Sequence, residues 1–300
     1  MGKFFKAFII TLLLIVIFFF GIIGYFLVKS HIENPGDFLN ELLEADNKLT
    51  FLLLGVDNLD VKNAQNTRSD TIMLVNMDLE SGKVDIVSVP RDTYAGLEGY
   101  KKQKINHFYN YGGSELTLQA VNELLGTNIE YYMTIDYKFV QEIVDTIGGV
   151  DVNVPVDMVY SDPWAEPPLE INIPAGQQTL NGENSIKFLR FRKGYKDGSD
   201  LSRVASQQQF VSAFIQKIKK PESLIKTPLI MKSYDKYTLS NIPFSKIVKS
   251  GLNVNKFSSE NITMQTLPGV PDYKNKVSYF FMNEKETDEL LITMGLKQGG

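Results

Sequence analysis

The sequence predicts an α/β protein, a three-layer α/β/α sandwich with a mixed central sheet, preceded by one transmembrane helix. Apolar segments of strand length alternate with amphipathic segments of helix length, which is typical of a sheet covered by helices on both faces. Two adjacent strand segments are joined only by the turn-like connector Asp78–Gly82, so they must pair antiparallel and make the sheet mixed. A long apolar run near the N-terminus predicts the membrane helix.

The apolar run extends from Ala7 to Val28 and contains 22 residues. As a helix it would span ~33 Å, enough to cross the hydrocarbon core of a bilayer. The run is longer than the apolar part of a cleaved signal peptide and no small-residue cleavage site follows it, so we predict an uncleaved anchor. Lys3 and Lys6 precede the run, and acidic residues predominate after Lys29, which places the N-terminus in the cytoplasm.

This orientation divides the chain into four parts. Residues 1–6 are cytoplasmic, residues 7–28 are the transmembrane anchor, residues 29–48 are an extracytoplasmic stalk, and residues 49–300 form one extracytoplasmic domain. The stalk includes a short amphipathic helix over residues 36–46. The protein is therefore expected in the cell membrane as a single-pass protein, with its large domain outside the cell.

Within the large domain, apolar periodicity and turn residues assign the individual elements. The predicted strands are Thr50–Val56, Thr71–Met77, Lys83–Val89, Ile129–Ile135, Val150–Val154 and Ile262–Leu267. The predicted helices are Ser114–Gly126, Tyr137–Ile147, Ser199–Lys219 and Asn283–Met294. The segment Asp162–Pro168 is predicted to be a rigid loop, because three of its seven residues are proline.

The composition excludes several kinds of chemistry. No cysteine occurs in 300 residues, which excludes thiolate catalysis, disulfides and cysteine-based zinc sites. Only two histidines are present, His31 and His107, so a histidine-rich metal site is excluded as well. The formal net charge of −4 gives a nucleic-acid partner no electrostatic support.

Arginine is rare, with five residues against 26 lysines. Lysine therefore provides the ordinary surface charge, and the arginines are candidates for planar, bidentate capture of phosphate or carboxylate. The five arginines are Arg68, Arg91, Arg190, Arg192 and Arg203. The alternative is that they are surface residues or structural ion-pair partners.

The predicted strand pairing brings two of the arginines together with carboxylates. A hairpin centred near residues 80–81 would place Asp70 opposite Arg91 and Arg68 near Thr93. Antiparallel pairing of the first two strands would bring Asp57 to the same rim, where α/β folds commonly bind ligands. The side chains expected at this rim are Asp57, Arg68, Asp70, Arg91 and Asp92.

Further cationic side chains occur later in the chain. An extended conformation of residues 188–192 would place Arg190 and Arg192 on one face. Lys104 is a possible phosphate contact, whereas His107 lies among aromatic residues and is interpreted as structural. In the helix predicted from Ser199, three polar residues with spacings of three and four share one face, and its N-terminus would favour an anion. They are Asp200, Arg203 and Gln207, and either Ser199 or Asp200 is expected to cap the helix.

Asp57 and Asp70 beside several arginines suggest a site for Mg²⁺ and phosphate. Magnesium binds one or two protein carboxylates and completes its coordination with phosphate oxygens and water. From spacing alone, the alternative that both aspartates only neutralise the arginines stays open.

Seven ordered motifs resemble those of the LytR–CpsA–Psr family of cell-wall enzymes. They are LLLGVD (52–57), RSDTIMLV (68–75), VSVPRDT (87–93), KINHFYNYGG (104–113), TIGGVDVNVP (146–155), AGQQTLNGENSIKFLRFR (175–192) and DLSRVASQQQ (200–209). The resemblance runs from about residue 50 to about residue 215. It implies an α/β/α domain outside the membrane that transfers a glycopolymer, of the teichoic acid or capsular polysaccharide type, from a polyprenyl-pyrophosphate carrier to peptidoglycan.

The resemblance also implies roles for individual residues. Asp57 and Asp70 correspond to the magnesium-binding aspartates. The pyrophosphate-binding residues that it implies are Arg68, Arg91, Arg190, Arg192, Arg203 and Gln207. The family pattern Asp-x-Gly-Arg-x-x-Arg-Gln-Gln is altered here, because Ser202 replaces the glycine and Ser206 replaces the second arginine. This departure bears on the choice of polymer more than on the type of reaction.

Together these observations predict a magnesium-dependent phosphotransferase. Arg91, Asp92 and Asp70 are the candidate catalytic residues, with either aspartate as a general base, Lys104 as a further phosphate ligand and Asp200 in a supporting role. The expected partners are the carrier-linked glycopolymer, peptidoglycan and membrane lipid. Two alternatives are kept: a pyrophosphatase of lipid carriers, which would use water as the acceptor, and a non-catalytic envelope protein that binds polymer or has a regulatory role.

Overall fold

The structure is a computed structural model that describes residues 35–56, 68–164, 168–191, 200–224, 226–253 and 256–297. Its helices are α1 (Pro35–Glu44), α2 (His107–Leu125), α3 (Tyr137–Ile147), α4 (Gly182–Arg190), α5 (Asp200–Ile218), α6 (Pro221–Leu224), α7 (Thr227–Tyr237), α8 (Phe244–Leu252) and α9 (Glu284–Thr293). Its strands are β1 (Lys48–Val56), β2 (Ser69–Asp78), β3 (Val84–Ser88), β4 (Tyr94–Leu97), β5 (Tyr100–Lys104), β6 (Tyr131–Ile135), β7 (Val150–Val154), β8 (Met158–Asp162), β9 (Leu169–Ile173), β10 (Gly176–Leu180), β11 (Thr238–Ser240), β12 (Ile262–Thr266), β13 (Gly269–Lys274) and β14 (Val277–Met282).

The central sheet has six strands in the order β11-β6-β1-β2-β3-β12. Strand β2 pairs antiparallel with both β1 and β3, whereas β1 pairs parallel with β6 and β3 pairs parallel with β12. The sheet is therefore mixed, as the sequence predicts. The remaining strands form four two-stranded pairs, β4–β5, β7–β10, β8–β9 and β13–β14.

Both faces of the sheet are apolar, and alternate residues of β1 belong to different cores. Leu53 belongs to one cluster together with residues of α3, α4, α5, α7 and α8, whereas Leu54 belongs to a second cluster with residues of α2 and α9. A strand buried on both faces reads as a continuous apolar run, which the segment Leu52–Leu54 illustrates. Helices therefore cover both faces, and the predicted mixed α/β fold is confirmed.

The N-terminal part of the described chain lies against the domain. Helix α1 packs against α8, with the ring centroids of Phe38 and Phe244 6.0 Å apart. The hydroxyl of Ser245 donates a hydrogen bond to the Glu41 carboxylate at 2.7 Å. Across the residues the structure describes, no helix has the length and apolar character needed to span a membrane. The predicted anchor over residues 7–28 lies outside those residues, and the predicted domain boundaries stay predictions.

Helix α2 begins earlier than the sequence predicts. The prediction started at Ser114, but α2 starts at His107 and changes direction at Gly112 and Gly113, where the backbone is not helical. Gly113 has a φ of 63°, a conformation that residues with a Cβ adopt rarely. The glycine pair interrupts the helical periodicity of the sequence, so the first turn is not predicted. This turn places His107 near the end of the sheet.

The predicted extended conformation of residues 188–192 is wrong for the part that the structure describes. Residues Gly182–Arg190 form helix α4, which is capped by Asn181, whose side-chain oxygen accepts a hydrogen bond from the Asn184 amide at 2.8 Å. The buried side chains of this segment recur at helical spacing. Arg190 is therefore the last residue of a helix, while Arg192 lies outside the described residues.

Helix α4 approaches α3 closely at Gly182. A Cβ built on Gly182 would lie 2.3 Å from the backbone oxygen of Gln141, which cannot move aside as a flexible side chain could. The Gly182 amide also donates a hydrogen bond to the Asp145 carboxylate at 2.7 Å. Only glycine permits this approach, which fixes the position of α4 and of Arg190 at its end.

We expect Gly182→Ala to destabilise the protein by about 1–3 kcal/mol or more, because the added methyl group forces two backbones apart. Urea denaturation would measure the change in the free energy of unfolding. Glu183→Ala, on the exposed side of the same turn, is the matched control and should cost about 0.5 kcal/mol or less. Equal stability of the Gly182→Ala and Glu183→Ala proteins would contradict the close contact.

Candidate phosphate-binding site

Charged residues gather at one end of the central sheet. Strands β1, β3, β6 and β12 all finish at this end, and β2 begins there. A β-bulge modifies the β1–β2 ladder, because Gly55 pairs with Thr71 but the next residue, Val56, pairs with Ser69. Asp70 is thus the extra residue of the bulge. Bulges change the direction of a side chain at the end of a ladder and often lie beside functional sites.

Arg91 and Asp70 form an ion pair at this sheet end. Nη1 of Arg91 lies 2.6 Å from Oδ1 of Asp70, and the side chains are 41% and 20% exposed respectively. The β2–β3 register, in which Leu74 pairs with Val87, places these two residues opposite each other when it is continued beyond the strands. The predicted pairing of Asp70 with Arg91 is therefore confirmed.

A second ion pair lies beside the first. Nζ of Lys104, the last residue of β5, is 2.8 Å from Oδ1 of Asp92. The backbone holds this region together, because the Ile105 amide donates to the Thr93 carbonyl at 2.8 Å. The Asn106 amide also donates to the carbonyl of Arg91, at 3.3 Å. The two segments Arg91–Thr93 and Lys104–Asn106 are thus fixed against each other, and their charged side chains share one surface.

His107 belongs to the same surface, although the sequence interpretation treated it as structural. Burial lowers its pKa, the positive charges of Arg68 and Lys104 lower it further, and the Asp92 carboxylate opposes them. The lowered pKa favours the neutral form of His107, which can share the site with cations without repulsion. Arg68, which directly precedes β2, is therefore within electrostatic range of His107.

Buried polar atoms without partners concentrate at this end of the sheet. Among the described residues, five buried side-chain oxygens have no hydrogen-bond partner, and three of them lie here, on Ser69, Asn106 and Asp136. Such atoms are costly, and in native proteins they commonly mark a functional site or a bound group. Ser69 lies between Arg68 and Asp70, Asn106 follows the Lys104 segment, and Asp136 follows β6. The sequence motifs contain Ser69 and Asn106 but not Asp136, and they give no sign of this shared property.

Asp136 links the sheet end to Arg190. Oδ1 of Asp136 accepts a hydrogen bond from the Phe139 amide at 2.8 Å, so it caps α3. The next residue, Tyr137, lies under Arg190, whose guanidinium carbon is 5.8 Å from the ring centroid. Arg190 therefore points to the same end of the sheet as Arg91. The sequence interpretation did not select Asp136, although an aspartate directly before an amphipathic helix was a visible capping signal.

Burial raises the pKa of Asp136 from an ordinary value of 3.8 to about 6, against the lowering effect of its hydrogen bond with the Phe139 amide. The unfolded chain ionises this carboxyl near pH 4, while the folded protein keeps its proton to about pH 6. Between these values the folded state binds more protons, so rising pH favours unfolding, by on the order of 3 kcal/mol in total.

Asp136→Asn keeps the capping oxygen but removes this titration. We expect the stability of the variant relative to the natural protein to increase between pH 4 and pH 6 and to stay constant above pH 7. Urea denaturation at several pH values would show the change. Asp288→Asn removes an exposed carboxylate of α9 and should give curves parallel to those of the natural protein. Parallel curves for Asp136→Asn would contradict the raised pKa.

Several predicted site residues cannot be placed by their side chains. Asp57 and Arg192 lie outside the described residues. Asp200, Arg203 and Gln207 belong to α5, as predicted, but their side chains are not described. The C-terminal end of α5 lies beside the segment before β12, since the Lys219 ammonium donates to the Phe257 carbonyl at 3.0 Å.

The donor set is compatible with a magnesium ion. Within the described part of the chain, no three aspartate, glutamate or histidine side chains cluster as a metal site. Magnesium does not require such a cluster, because one or two carboxylates suffice when phosphate oxygens and water complete the shell. Asp70 supplies a partly exposed carboxylate at this end of the sheet, and the unpartnered oxygens there are hard donors of the kind that magnesium prefers.

The comparisons with known proteins place this fold and these motifs in one family. The model of the LytR_cpsA_psr family matches residues 28–295. Regulatory protein MsrR of Staphylococcus aureus is 30% identical over 238 residues, which cover 79% of this chain and 69% of MsrR.

Two further comparisons concern one protein, TagV of Bacillus subtilis. Polyisoprenyl-teichoic acid–peptidoglycan teichoic acid transferase TagV is 28% identical over 253 residues, which cover 82% of this chain and 64% of TagV. The crystal structure of B. subtilis TagV superposes with a TM-score of 0.63 at 26% identity, covering 83% of this chain and 96% of that structure. The family match, the relatives and the shared fold agree, and the chain belongs to the LytR–CpsA–Psr family.

Proposed function

We propose that this protein is a magnesium-dependent phosphotransferase that moves an anionic glycopolymer, of the teichoic acid or capsular type, from a polyprenyl-pyrophosphate carrier to peptidoglycan. The observation that carries the proposal is the group of cations around the Arg91–Asp70 pair at the end of the sheet. These cations lie at the same end of the sheet as buried side-chain oxygens that have no hydrogen-bond partner. The name of the relative TagV, a teichoic acid transferase that acts on peptidoglycan, supports the same reaction type.

The charge of this surface and its donor types suit a pyrophosphate. Arginine offers several N–H donors in one plane and binds phosphate oxygens in pairs, which a lysine cannot do. Arg68 directly precedes β2, and Arg91 follows β3. Lys104 pairs with Asp92, the residue after Arg91. In the neutral form, which its lowered pKa favours, His107 can donate or accept a hydrogen bond there. The site is thus positively charged, although the chain carries a net charge of −4.

In the proposed reaction, a hydroxyl of a peptidoglycan sugar attacks the phosphorus that carries the glycopolymer. A new bond forms between that hydroxyl oxygen and phosphorus. The bond from the same phosphorus to the bridging oxygen of the pyrophosphate breaks, and polyprenyl phosphate leaves with the bridging oxygen. The hydroxyl proton passes to a base, for which Asp92 and Asp70 are the proposed candidates. Fixed cations stabilise the charge that accumulates on the leaving phosphate.

Asp57 and Asp70 would hold a magnesium ion, which would neutralise phosphate charge when bound. Asp70 has a second role that does not depend on the metal, because its carboxylate holds the Arg91 guanidinium in place. Asp136 is proposed as a positioning residue. It caps α3 and thereby sets Tyr137, on which Arg190 rests.

The test uses the full chain in detergent with a synthetic polyprenyl-pyrophosphate glycan, magnesium and peptidoglycan fragments, followed by mass spectrometry. A phosphodiester between the glycan and peptidoglycan is the expected product, and EDTA should abolish it. Renewed product after magnesium is added back would show that the metal, and not denaturation, caused the loss. A glycan phosphate formed without any peptidoglycan adduct would instead identify a pyrophosphatase.

A second candidate function is non-catalytic. The relative MsrR bears the name of a regulatory protein, which favours a role in regulation at the cell envelope. Binding of pyrophosphate-linked glycan without turnover in the presence of magnesium would support this alternative. We rank it second because simple binding of a polyanion would tolerate lysine at the positions where this chain keeps arginine.

A further inference from the structure

Two exposed hairpins stand next to the candidate site. They are β4–β5, residues 94–104, and β13–β14, residues 269–282. The second hairpin is attached directly behind the Arg91–Asp92 segment, since the Phe280 amide donates to the Asp92 carbonyl at 2.9 Å and Thr93 forms a β-bridge with Phe280. The hairpins and the proposed pyrophosphate site are therefore parts of one continuous surface.

One face of the β13–β14 hairpin is lined with aromatic rings. Directly paired residues project to the same face of a hairpin, so one face carries the pairs Val270–Phe281, Asp272–Tyr279 and Lys274–Val277. Tyr94 of the neighbouring hairpin lies against this face. Its ring centroid is 5.0 Å from that of Tyr279 and 5.5 Å from that of Phe281. Rings of two hairpins thus form one apolar platform.

Lysines lie at the edges of this platform. Nζ of Lys104 is 6.0 Å from the Tyr279 ring centroid, and the same atom pairs with Asp92 of the candidate site. Nζ of Lys274 lies 4.3 Å from the Tyr94 ring centroid and donates to the Tyr94 hydroxyl at 2.9 Å. Lys104 therefore connects the platform to the proposed pyrophosphate site, and Lys274 marks its far side.

The hairpins have a charge opposite to that of the whole chain. Together they contain five lysines, Lys101, Lys102, Lys104, Lys274 and Lys276, against two acidic residues, Glu98 and Asp272, which gives +3. The chain as a whole has a net charge of −4. Two apolar side chains of the platform face are open to solvent, with Val270 63% and Val277 43% exposed. Exposed apolar groups combined with a net positive charge indicate an interaction surface.

We propose that the aromatic and lysine face of these hairpins binds the phosphate-containing repeat units of the donor glycopolymer, beyond the sugar that is joined to the pyrophosphate. This proposal rests on the proposed function. A sugar-phosphate or polyol-phosphate chain alternates C–H surfaces, which pack on aromatic rings, with anionic phosphates, which pair with lysines. Lys104 contacts both the candidate site and the aromatic face of the hairpins. A polymer attached to the bound pyrophosphate would therefore leave the site next to this face. The positive charge of the face complements the polymer, whereas uncharged peptidoglycan glycan would not require it.

The test compares two donors with the full chain in detergent. One donor carries only the sugars next to the pyrophosphate, and the other also carries a polyol-phosphate chain. With Lys274→Gln/Lys276→Gln, KM for the long donor should rise about tenfold and kcat should change by less than about twofold, while the short donor is unaffected. Lys48→Gln/Lys232→Gln is the control, because both lysines are exposed and lie outside the hairpins.

Direct binding separates this proposal from the proposed function. Free poly(glycerol phosphate) should bind the natural protein with an affinity that falls as salt increases, and the Lys274→Gln/Lys276→Gln protein should bind more weakly with a shallower salt dependence. Tyr279→Ala should weaken binding without changing that salt dependence.

An equal loss with both donors, or unchanged binding of the free polymer, would overturn the proposal. Loss of binding to anionic phospholipid vesicles alone would assign the face to the membrane. If the natural protein transfers neither donor but binds the polymer, only the proposed function fails.

Discussion

Replacing Arg91 by alanine is expected to lower the rate of glycopolymer transfer by about 10²–10³-fold, the usual loss when a fixed donor to developing charge is removed. Arg91 is held at the sheet end by a 2.6 Å contact with Asp70 and by the backbone contact of its carbonyl with Asn106. Its position is therefore set before a substrate binds. A preorganised cation stabilises the leaving phosphate without any cost of reorganisation during the reaction.

Arg91→Lys separates the effect of charge from that of shape. Lysine keeps the positive charge but cannot bind two phosphate oxygens in one plane, so the variant should recover only a small part of the lost rate. The readout is the initial rate of phosphodiester formation by mass spectrometry. Lys83→Ala is the matched control, since Lys83 also forms an ion pair with an aspartate but lies at the opposite end of the same β2–β3 hairpin. Full activity of Arg91→Lys would show that a positive charge alone suffices at this position. It would then contradict the inference that the rare arginines are kept for bidentate phosphate binding.

The end of the sheet could be predicted from the sequence because its geometry depends on local rules. A short turn after Met77 fixes the register of β2 and β3, and a one-residue slip would have turned every buried side chain to the wrong face. Continuing this register by three residues beyond the last pair, Met73 with Ser88, gives the Asp70–Arg91 pair. The bulge at Asp70 was not predicted, because it depends on the contact of Gly55 with Thr71, where a Cβ would lie 2.8 Å from the Thr71 Cβ.

Other parts of the site depend on contacts that no local pattern reveals. Residues 188–192 are predicted to be extended because that conformation places Arg190 and Arg192 on one face. The helical form of the segment that ends in Arg190 depends on the Asn181 cap and on the approach of Gly182 to α3. The lowered pKa of His107 depends first on its burial and then on the charges of Arg68, Lys104 and Asp92, which only the folded chain brings near it. The aromatic hairpin face is likewise formed by Tyr94 and residues nearly 200 positions later, so only the tertiary structure shows it.

The second large effect is expected at Asp70. Asp70→Asn keeps the shape of the side chain but removes the charge that holds the Arg91 guanidinium and the carboxylate proposed for magnesium. We expect transfer to fall by about 10²-fold, and the magnesium concentration needed for half-maximal rate to rise. Asp288→Asn, which breaks an exposed ion pair in α9, should leave both quantities unchanged. If Asp70→Asn needs the same magnesium concentration for half-maximal rate, Asp70 is not a magnesium ligand.

A double-mutant cycle then asks whether Asp70 and Arg91 act as one unit. If the carboxylate works by positioning the guanidinium, the Asp70→Asn/Arg91→Ala protein should be only slightly slower than the slower single variant, because each change already disables the pair. If the two side chains contribute independently, their losses should multiply to about 10⁴-fold or more. The 2.6 Å contact predicts the first result. Multiplied losses would mean that Asp70 acts mainly through the metal and Arg91 through the phosphate, with the ion pair being incidental to both.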